Sequence, residues 1–203
     1  MSVIDPTCRI AVLVSGGGTN LQALIDMEKR GENPNGEICL VASANPNAYA
    51  LERARNAHIE TFVFESEEEL INKLFDSNIH LVVLAGFLKI LSPNFIEHFP
   101  DRIINIHPAL LPSFGGKGCY GIHVHEKALS YGVKVTGATV HFVNEVPDGG
   151  QIIMQKAVDV MPNDTPETLQ RRVMEEAEWI ILPKAVIQLS DDIYDENLRI
   201  ACE

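Results

Sequence analysis

Residues 9–25 read Arg9-Ile-Ala-Val-Leu-Val-Ser-Gly-Gly-Gly-Thr-Asn-Leu-Gln-Ala-Leu-Ile25. The aliphatic run Arg9 to Val14 predicts a strand, and Leu21, Leu24 and Ile25 share one face of a helix reaching about Lys29. Between them Ser15 and three consecutive glycines force a tight turn. A strand, a glycine turn and an amphipathic helix in succession open a strand–helix–strand unit, and so a parallel sheet. The N–H groups of Gly16, Gly17 and Gly18, with the helix N-terminus, make an anion site suited to phosphate. Ser15, Thr19 and Asn20 add short polar side chains. The same stretch also reads as a purely structural turn with Thr19 or Asn20 as the helix cap. It is neither the dinucleotide-binding G-x-G-x-x-G nor a Walker A loop, because no Lys-Ser/Thr follows.

The alternation continues on both sides of the sequence midpoint. Glu37 to Ala42 reads as a second strand, Tyr49 to Ala57 as a helix and Glu60 to Phe64 as a third strand. Ser66 with Glu69 is a capping-box signature, opening a helix whose Leu70, Ile71, Leu74 and Phe75 are expected to face inward. The unbroken apolar run Leu81 to Ala85 suits a central parallel strand covered on both faces. Arg102 to Ile106 is a further strand, closed by His107-Pro108. Residues 112–121, glycine-rich and without periodicity, read as a mobile loop, followed by a helix near Val124 to Tyr131. Lys134 to Val143 and Gln151 to Val160 form an antiparallel pair through the turn Pro147-Asp-Gly-Gly150. A last long helix starts at Thr165-Pro166 and carries Leu169, Val173, Ala177 and Ile180 on its apolar stripe. The expected fold is α/β: a Rossmann-like, mostly parallel sheet flanked by helices, with a C-terminal antiparallel strand pair and a long final helix. One domain over residues 1–203 is expected, a phosphate-binding half to about 100 and a catalytic half after about 101.

Composition narrows the function classes. The chain has 203 residues, 46% apolar and 22% charged, enough for one core and far from disordered or fibrous compositions. Its apolar runs fall well short of the ~20 residues a membrane-spanning helix needs. A net charge of -12 disfavours a nucleic-acid binder that works by neutralising phosphates. Cys8, Cys39, Cys119 and Cys202 are widely spread, with no C-x-x-C pair, and the N-terminus lacks a signal-peptide apolar region. Reduced thiols and a cytoplasmic location are therefore expected, with Cys8 and Cys39 as small apolar fillers.

Two further places carry chemistry. In Asn105-Ile106-His107 the alternation of an extended segment puts amide and imidazole on one side, at a strand's carboxyl end, where open α/β sheets bind ligands. Such a pair can polarise a carbonyl and manage a proton, as acyl-type transfer requires; an Asn and a His satisfied within a core is the alternative. Asp148 lies in a glycine turn, where carboxylates commonly serve the turn itself, but a carboxylate meeting His107 would favour imidazolium and raise its pKa. His123 and His125 with Glu126 lack zinc spacing, so no metal is expected.

The stretches SGGGTNLQALI (15–25), VVLAGFLKILSP (82–93), NIHPALLP (105–112) and TGATVHFVNEVPDGG (136–150) stand in an order that resembles the glycinamide ribonucleotide formyltransferases of purine biosynthesis. The likeness runs from about Arg9 to Pro183. The resemblance implies a formyltransferase fold and transfer of a formyl group from 10-formyltetrahydrofolate, a co-substrate, to the amine of glycinamide ribonucleotide. It assigns the catalytic roles to Asn105, His107 and Asp148, with Thr139 and His141 supporting them. It gives Gly16, Gly17, Gly18, Thr19, Asn20, Pro108 and Glu178 to the ribonucleotide. The folate positions are Leu84, Phe87, Leu88, Lys89, Ile90, Leu91, Val143, Asn144, Glu145 and Val146. From periodicity alone Glu178 sits about 130° from the apolar stripe, on the solvated side.

Departures from the family pattern are Lys89 where arginine is common, Gly17 for an asparagine, a longer loop at 115–121, and Trp179 for a histidine. The expected partners are the two small molecules, without nucleic acid or membrane; monomer and homodimer both stay open. A formyltetrahydrofolate hydrolase would share the triple but add an N-terminal domain, and a methionyl-tRNA formyltransferase would add a C-terminal barrel. Eight residues before Arg9 and only 184–203 after Pro183 weigh against both. A non-catalytic phosphoribosyl-ligand module is the third alternative.

Overall fold

The computed structural model describes residues 5–202. Seven strands, β1 (Cys8–Leu13), β2 (Gly36–Ser43), β3 (Glu60–Val63), β4 (Leu81–Leu84), β5 (Ile103–His107), β6 (Val135–Phe142) and β7 (Ile152–Asp159), form one sheet in the order β3-β2-β1-β4-β5-β6-β7. Pairing is parallel from β3 through β5, whereas β6 is antiparallel to both β5 and β7. The antiparallel region therefore takes in the β5–β6 boundary as well as the expected hairpin.

Strand alternation makes both faces of the sheet apolar. Ile10, Val12 and Val14 join one core with Leu81 and Val83, while Ala11 and Leu13 join the other with Val82 and Leu84. The first face is covered by α1 (Thr19–Lys29), through Leu21, Leu24 and Ile25, and by the C-terminal helix α7 (Trp179–Cys202), through Leu182, Val186 and Leu189. α2 (Tyr49–Asn56) adds Leu51 and Ala54 to that core. The second face is covered by α3 (Glu67–Asp76), through Leu70 and Leu74, and by α4 (Pro93–His98), whose Phe95 is fully buried. α5 (Ile122–Tyr131) and α6 (Pro166–Val173) complete the helices. Among the described residues no helix is long and apolar enough to cross a membrane.

Several local expectations need correction. α4 was not anticipated: it is a short helix begun by the Ser92 cap, whose hydroxyl accepts from Phe95 N at 3.1 Å, with proline at its first position. Phe75 does not face inward but is 54% exposed, its ring lying against Phe99 and His98. Ser66 caps α3 as expected, yet the Glu69 carboxylate accepts from Glu65 N at 2.9 Å, one residue earlier than a closed capping box requires.

The final helix departs most. α6 starts at the Thr165 cap, but Met174–Glu178 is a π turn before α7 continues. A π turn takes up one extra residue, so the stripe passes from Leu169, Val173 and Ala177 to buried Ile181, leaving Ile180 37% exposed. By the same phase shift Glu178 is buried, not solvated.

Candidate active site

The strand order reverses direction at β1 and β4, and the loops leaving the carboxyl ends of β1, β4 and β5 meet there, as open α/β sheets require of a ligand crevice. The crevice has a volume of about 480 Å³. Thr19, Asn20, Leu84, Phe87–Leu91, Asn105, His107, Pro108, His141, Val143–Val146, Asp148 and Glu178 line it. The sequence-predicted residues are thus brought into one cavity, except that Gly16, Gly17, Gly18 and Thr139 do not line it.

At the glycine turn, Gly18 adopts φ +72°, and a Cβ there would stand 2.6 Å from that of Ala50. Glycine is required on both counts. Gly16 and Gly17 have open space instead. The α1 cap is Gly18 itself, with no side-chain cap bond, so neither Thr19 nor Asn20 caps the helix. Ser15 Oγ accepts from Leu88 N at 3.0 Å and so ties this turn to the β4 loop. Lys89 lies with its ammonium 5.8 Å from the centre of the Phe64 ring.

β5 puts Asn105 and His107 on one side, and their pairing across β6 is Asn105 with His141 and His107 with Thr139. His141 Nδ1 lies 2.8 Å from the Phe142 carbonyl, which can only accept. Nδ1 therefore carries the proton, and Nε2 accepts from the Asn105 amide at 3.1 Å. One amide N–H is fixed in this way and the second is left for a ligand. His107 Nε2 donates to the Phe114 carbonyl at 2.9 Å, which turns Nδ1 toward Asp148 Oδ1 at 3.5 Å. Asp148 also accepts from Gly116 N at 2.8 Å, and its Oδ1 lies 3.6 Å from His141 Nε2. Residues 112–121 are thereby tied to the centre at two points, Phe114 and Gly116.

Electrostatics separate these groups. For Asp148 burial acts upward, but the neighbouring imidazoles of His141 and His107 and the Gly116 N–H outweigh it and hold the carboxyl below its usual range. His107 is lowered, contrary to the expected rise: burial outweighs the attraction of Asp148 and the Phe114 bond. By contrast Glu178, buried, is pushed up to about 7 by desolvation, with only the Asn20 hydrogen bond acting downward.

Thr139 sits behind the cavity. Its hydroxyl donates to Ala109 O at 2.7 Å and accepts from Leu111 N at 3.1 Å and Gln155 Nε2 at 2.9 Å, clamping the segment after His107. His123 is exposed, with Nδ1 2.8 Å from Glu126 Oε2. His125 is fully buried, lines the cavity, and is pushed down to about 4 by burial. The two histidines thus face different surroundings. Among the described residues no group of His, Cys, Asp and Glu is placed to hold a metal.

Sequence reasoning missed Gln170 and Met174, which line the cavity with Glu178. Their four-residue spacing was a legible signal of a shared face. It also missed the backbone groups of Phe114 and Gly116, for which no sequence signal exists.

A profile described as formyl transferase matches residues 8–186. The chain belongs to the formyl transferase family. It is 42% identical over 201 residues to the chloroplastic phosphoribosylglycinamide formyltransferase of Arabidopsis thaliana, an alignment covering 94% of this chain and 67% of that protein. It is 39% identical over 191 residues to the trifunctional purine biosynthetic protein adenosine-3 of Drosophila melanogaster, covering 89% of this chain but 14% of that much longer protein. The solved glycinamide ribonucleotide transformylase 1 of Symbiobacterium toebii superposes with a TM-score of 0.85 at 39% identity, over 92% of this chain and 89% of that one. The family's enzymes of this type move a formyl group from 10-formyltetrahydrofolate to glycinamide ribonucleotide in purine biosynthesis. This chain is an enzyme of that type.

Proposed function

We propose that Asn105, His107 and Asp148 carry out this transfer in the middle of the cleft, with the ribonucleotide toward Thr19, Asn20 and Glu178 and the folate toward the β4 loop and residues 143–146. The observation that carries the reading is the cluster itself: an amide with one N–H free, beside an imidazole that faces a carboxylate at 3.5 Å.

The folate supplies the formyl group. Its fit rests on the lining of its end of the cleft: Leu84, Phe87, Leu91 and Val143 are apolar walls, and residues 143–148 bring backbone polar groups to the same place. Asn105 donates its free N–H to the formyl oxygen as the substrate amine bonds to the formyl carbon, and thus favours the charge that develops there. His107 Nδ1, neutral before reaction, takes up next to Asp148 the proton that the amine nitrogen loses as it bonds to the formyl carbon, and delivers it to the donor nitrogen as that nitrogen's bond to the formyl carbon breaks. Asp148 is already ionised, so it stabilises the imidazolium at that moment. His141 holds the plane of the Asn105 amide. At the far end the N–H groups of the glycine turn take the phosphate, and the carboxyl of Glu178 accepts from a hydroxyl or amine of the ribonucleotide.

The experiment is to follow tetrahydrofolate release from 10-formyltetrahydrofolate with and without glycinamide ribonucleotide. Release that depends on the ribonucleotide is expected. Release without it would reassign the chain as a hydrolase, and none in either case would leave a binding module.

A further inference from the structure

Asn20 belongs to the first turn of α1, immediately beyond the glycine turn, and Glu178 to the end of the π turn. Residues 158 positions apart therefore meet: Asn20 Nδ2 donates to Glu178 Oε2 at 2.6 Å, and both side chains are buried, at 7% and 6% exposure. The other side-chain atom of Asn20, Oδ1, is buried and has no partner. Since Gly18 ends the helix without a side-chain bond, the amide is not used as a cap. With its nitrogen turned to Glu178, the amide is also not the group that faces a phosphate.

Resting on the assignment of Glu178 to the ribonucleotide, we propose that Asn20 is a positioning residue: its side-chain amide pins Oε2 of Glu178, leaving Oε1 to the substrate, while its backbone stays with the phosphate turn. Asn20 thus sets the distance between the phosphate end of the ribonucleotide and the acceptor that reads its donor groups. A second effect follows from burial. No charged side chain contributes to the shift of Glu178; the Asn20 donor is the one group acting against desolvation. Removing that donor both frees the rotamer and favours the protonated carboxyl, a poorer acceptor for a substrate N–H or O–H.

The test begins on the ligand-free protein labelled with ¹³C at glutamate Cδ, with the Glu178 resonance assigned by its loss in Glu178→Gln. In wild type this carbon is expected to titrate near neutrality, and in Asn20→Ala at a higher pH. In turnover, Asn20→Ala raises KM for the ribonucleotide about tenfold, the scale of a lost hydrogen bond to a charged group, with kcat and the folate KM nearly unchanged. Asn20→Ser, which keeps a donor slightly short of reach, falls between the two and serves where Asn20→Ala folds poorly. In a Glu178→Gln background Asn20→Ala adds less than it costs alone. An unmoved Cδ titration in both Asn20 variants, or losses that multiply independently of Glu178, would overturn the proposal. The NMR arm needs no turnover, so failure of the proposed transfer leaves this test standing.

Discussion

The cleft holds two carboxyls, the half-buried Asp148 and the buried Glu178, that the surrounding chain treats in opposite ways. Asp148 has two imidazoles and a backbone N–H within reach and stays ionised. Glu178 has one neutral amide and rises to about 7. A carboxylate supplied with partners that can become cationic is suited to stabilise a proton in transit. A carboxyl left short of donors in an apolar wall is suited to accept them from a ligand. The position of the partners, not the acid itself, separates the chemical centre from the recognition end.

Removing the carboxylate from the first centre should give the largest effect. Asp148→Ala is expected to lower kcat by about 10²-fold or more, with binding of both substrates kept within several-fold, because Asp148 acts mainly on the charged imidazole formed during reaction. Steady-state kinetics with each substrate varied decides it; a near wild-type kcat would erase the distinction drawn here.

Glu178→Gln probes the second centre and should instead raise the ribonucleotide KM while largely sparing kcat. It also has a stability signature of definite sign. Below pH 4.5 the carboxyl is neutral in both folded and unfolded chains. Between 4.5 and about 7 the unfolded chain releases its proton while the folded one keeps it, so stability falls as pH rises. Above that range the cost levels at roughly 3 kcal/mol. Glu178→Gln should therefore raise Tm at pH 8 and change it little at pH 4. Glu28, partly buried and raised to about 7 by desolvation, titrates over the same range, so the quantity to compare is variant minus wild type at each pH.

The glycine turn separates space from charge in the same manner. Gly17→Asp meets no atom within 4 Å and should fold normally while raising the ribonucleotide KM by charge repulsion. Gly18→Ala meets Ala50 and a left-handed φ, and its expected effect is a lowered Tm of the whole chain. An unchanged KM in a folded Gly17→Asp protein would remove the turn from the phosphate site.

These contrasts also mark what was legible in sequence. The parallel strands were visible because both faces are covered, which forces continuous apolar runs such as Leu81 to Leu84. Asn105 and His107 were visible because two-residue alternation is reliable at a strand's end. Phe75 was misread because its position fits the helical stripe, although its ring only covers the core residue Phe99 from the solvent side and stays exposed. The direction of the His107 shift was missed because spacing shows the Asp148 partner but not the depth of burial that outweighs it. Glu178 was misplaced because a constant 100° per residue cannot register a π turn.

That last error leads to the smallest expected effect. If the π turn Met174–Glu178 exists to absorb one surplus residue, removing a solvent-facing residue from it should restore an ordinary helix without moving either flank. Glu175 is exposed, and without it Ala177 would follow Val173 by three positions and Leu169 by seven, both spacings of a single helical face. Glu178 would then stand eight positions after Leu169, close to the same face, and Ile181 would stay inward. Deleting Glu175 should accordingly leave kcat, KM and Tm near wild type, whereas deleting Lys184, six residues beyond Glu178 and inside α7, should unfold the helix from its core by misphasing Ala185, Val186 and Leu189. Loss of ribonucleotide binding in the Glu175 deletion, with the fold intact, would mean that the turn itself shapes the recognition end, and that Glu178 depends on its backbone as much as on Asn20.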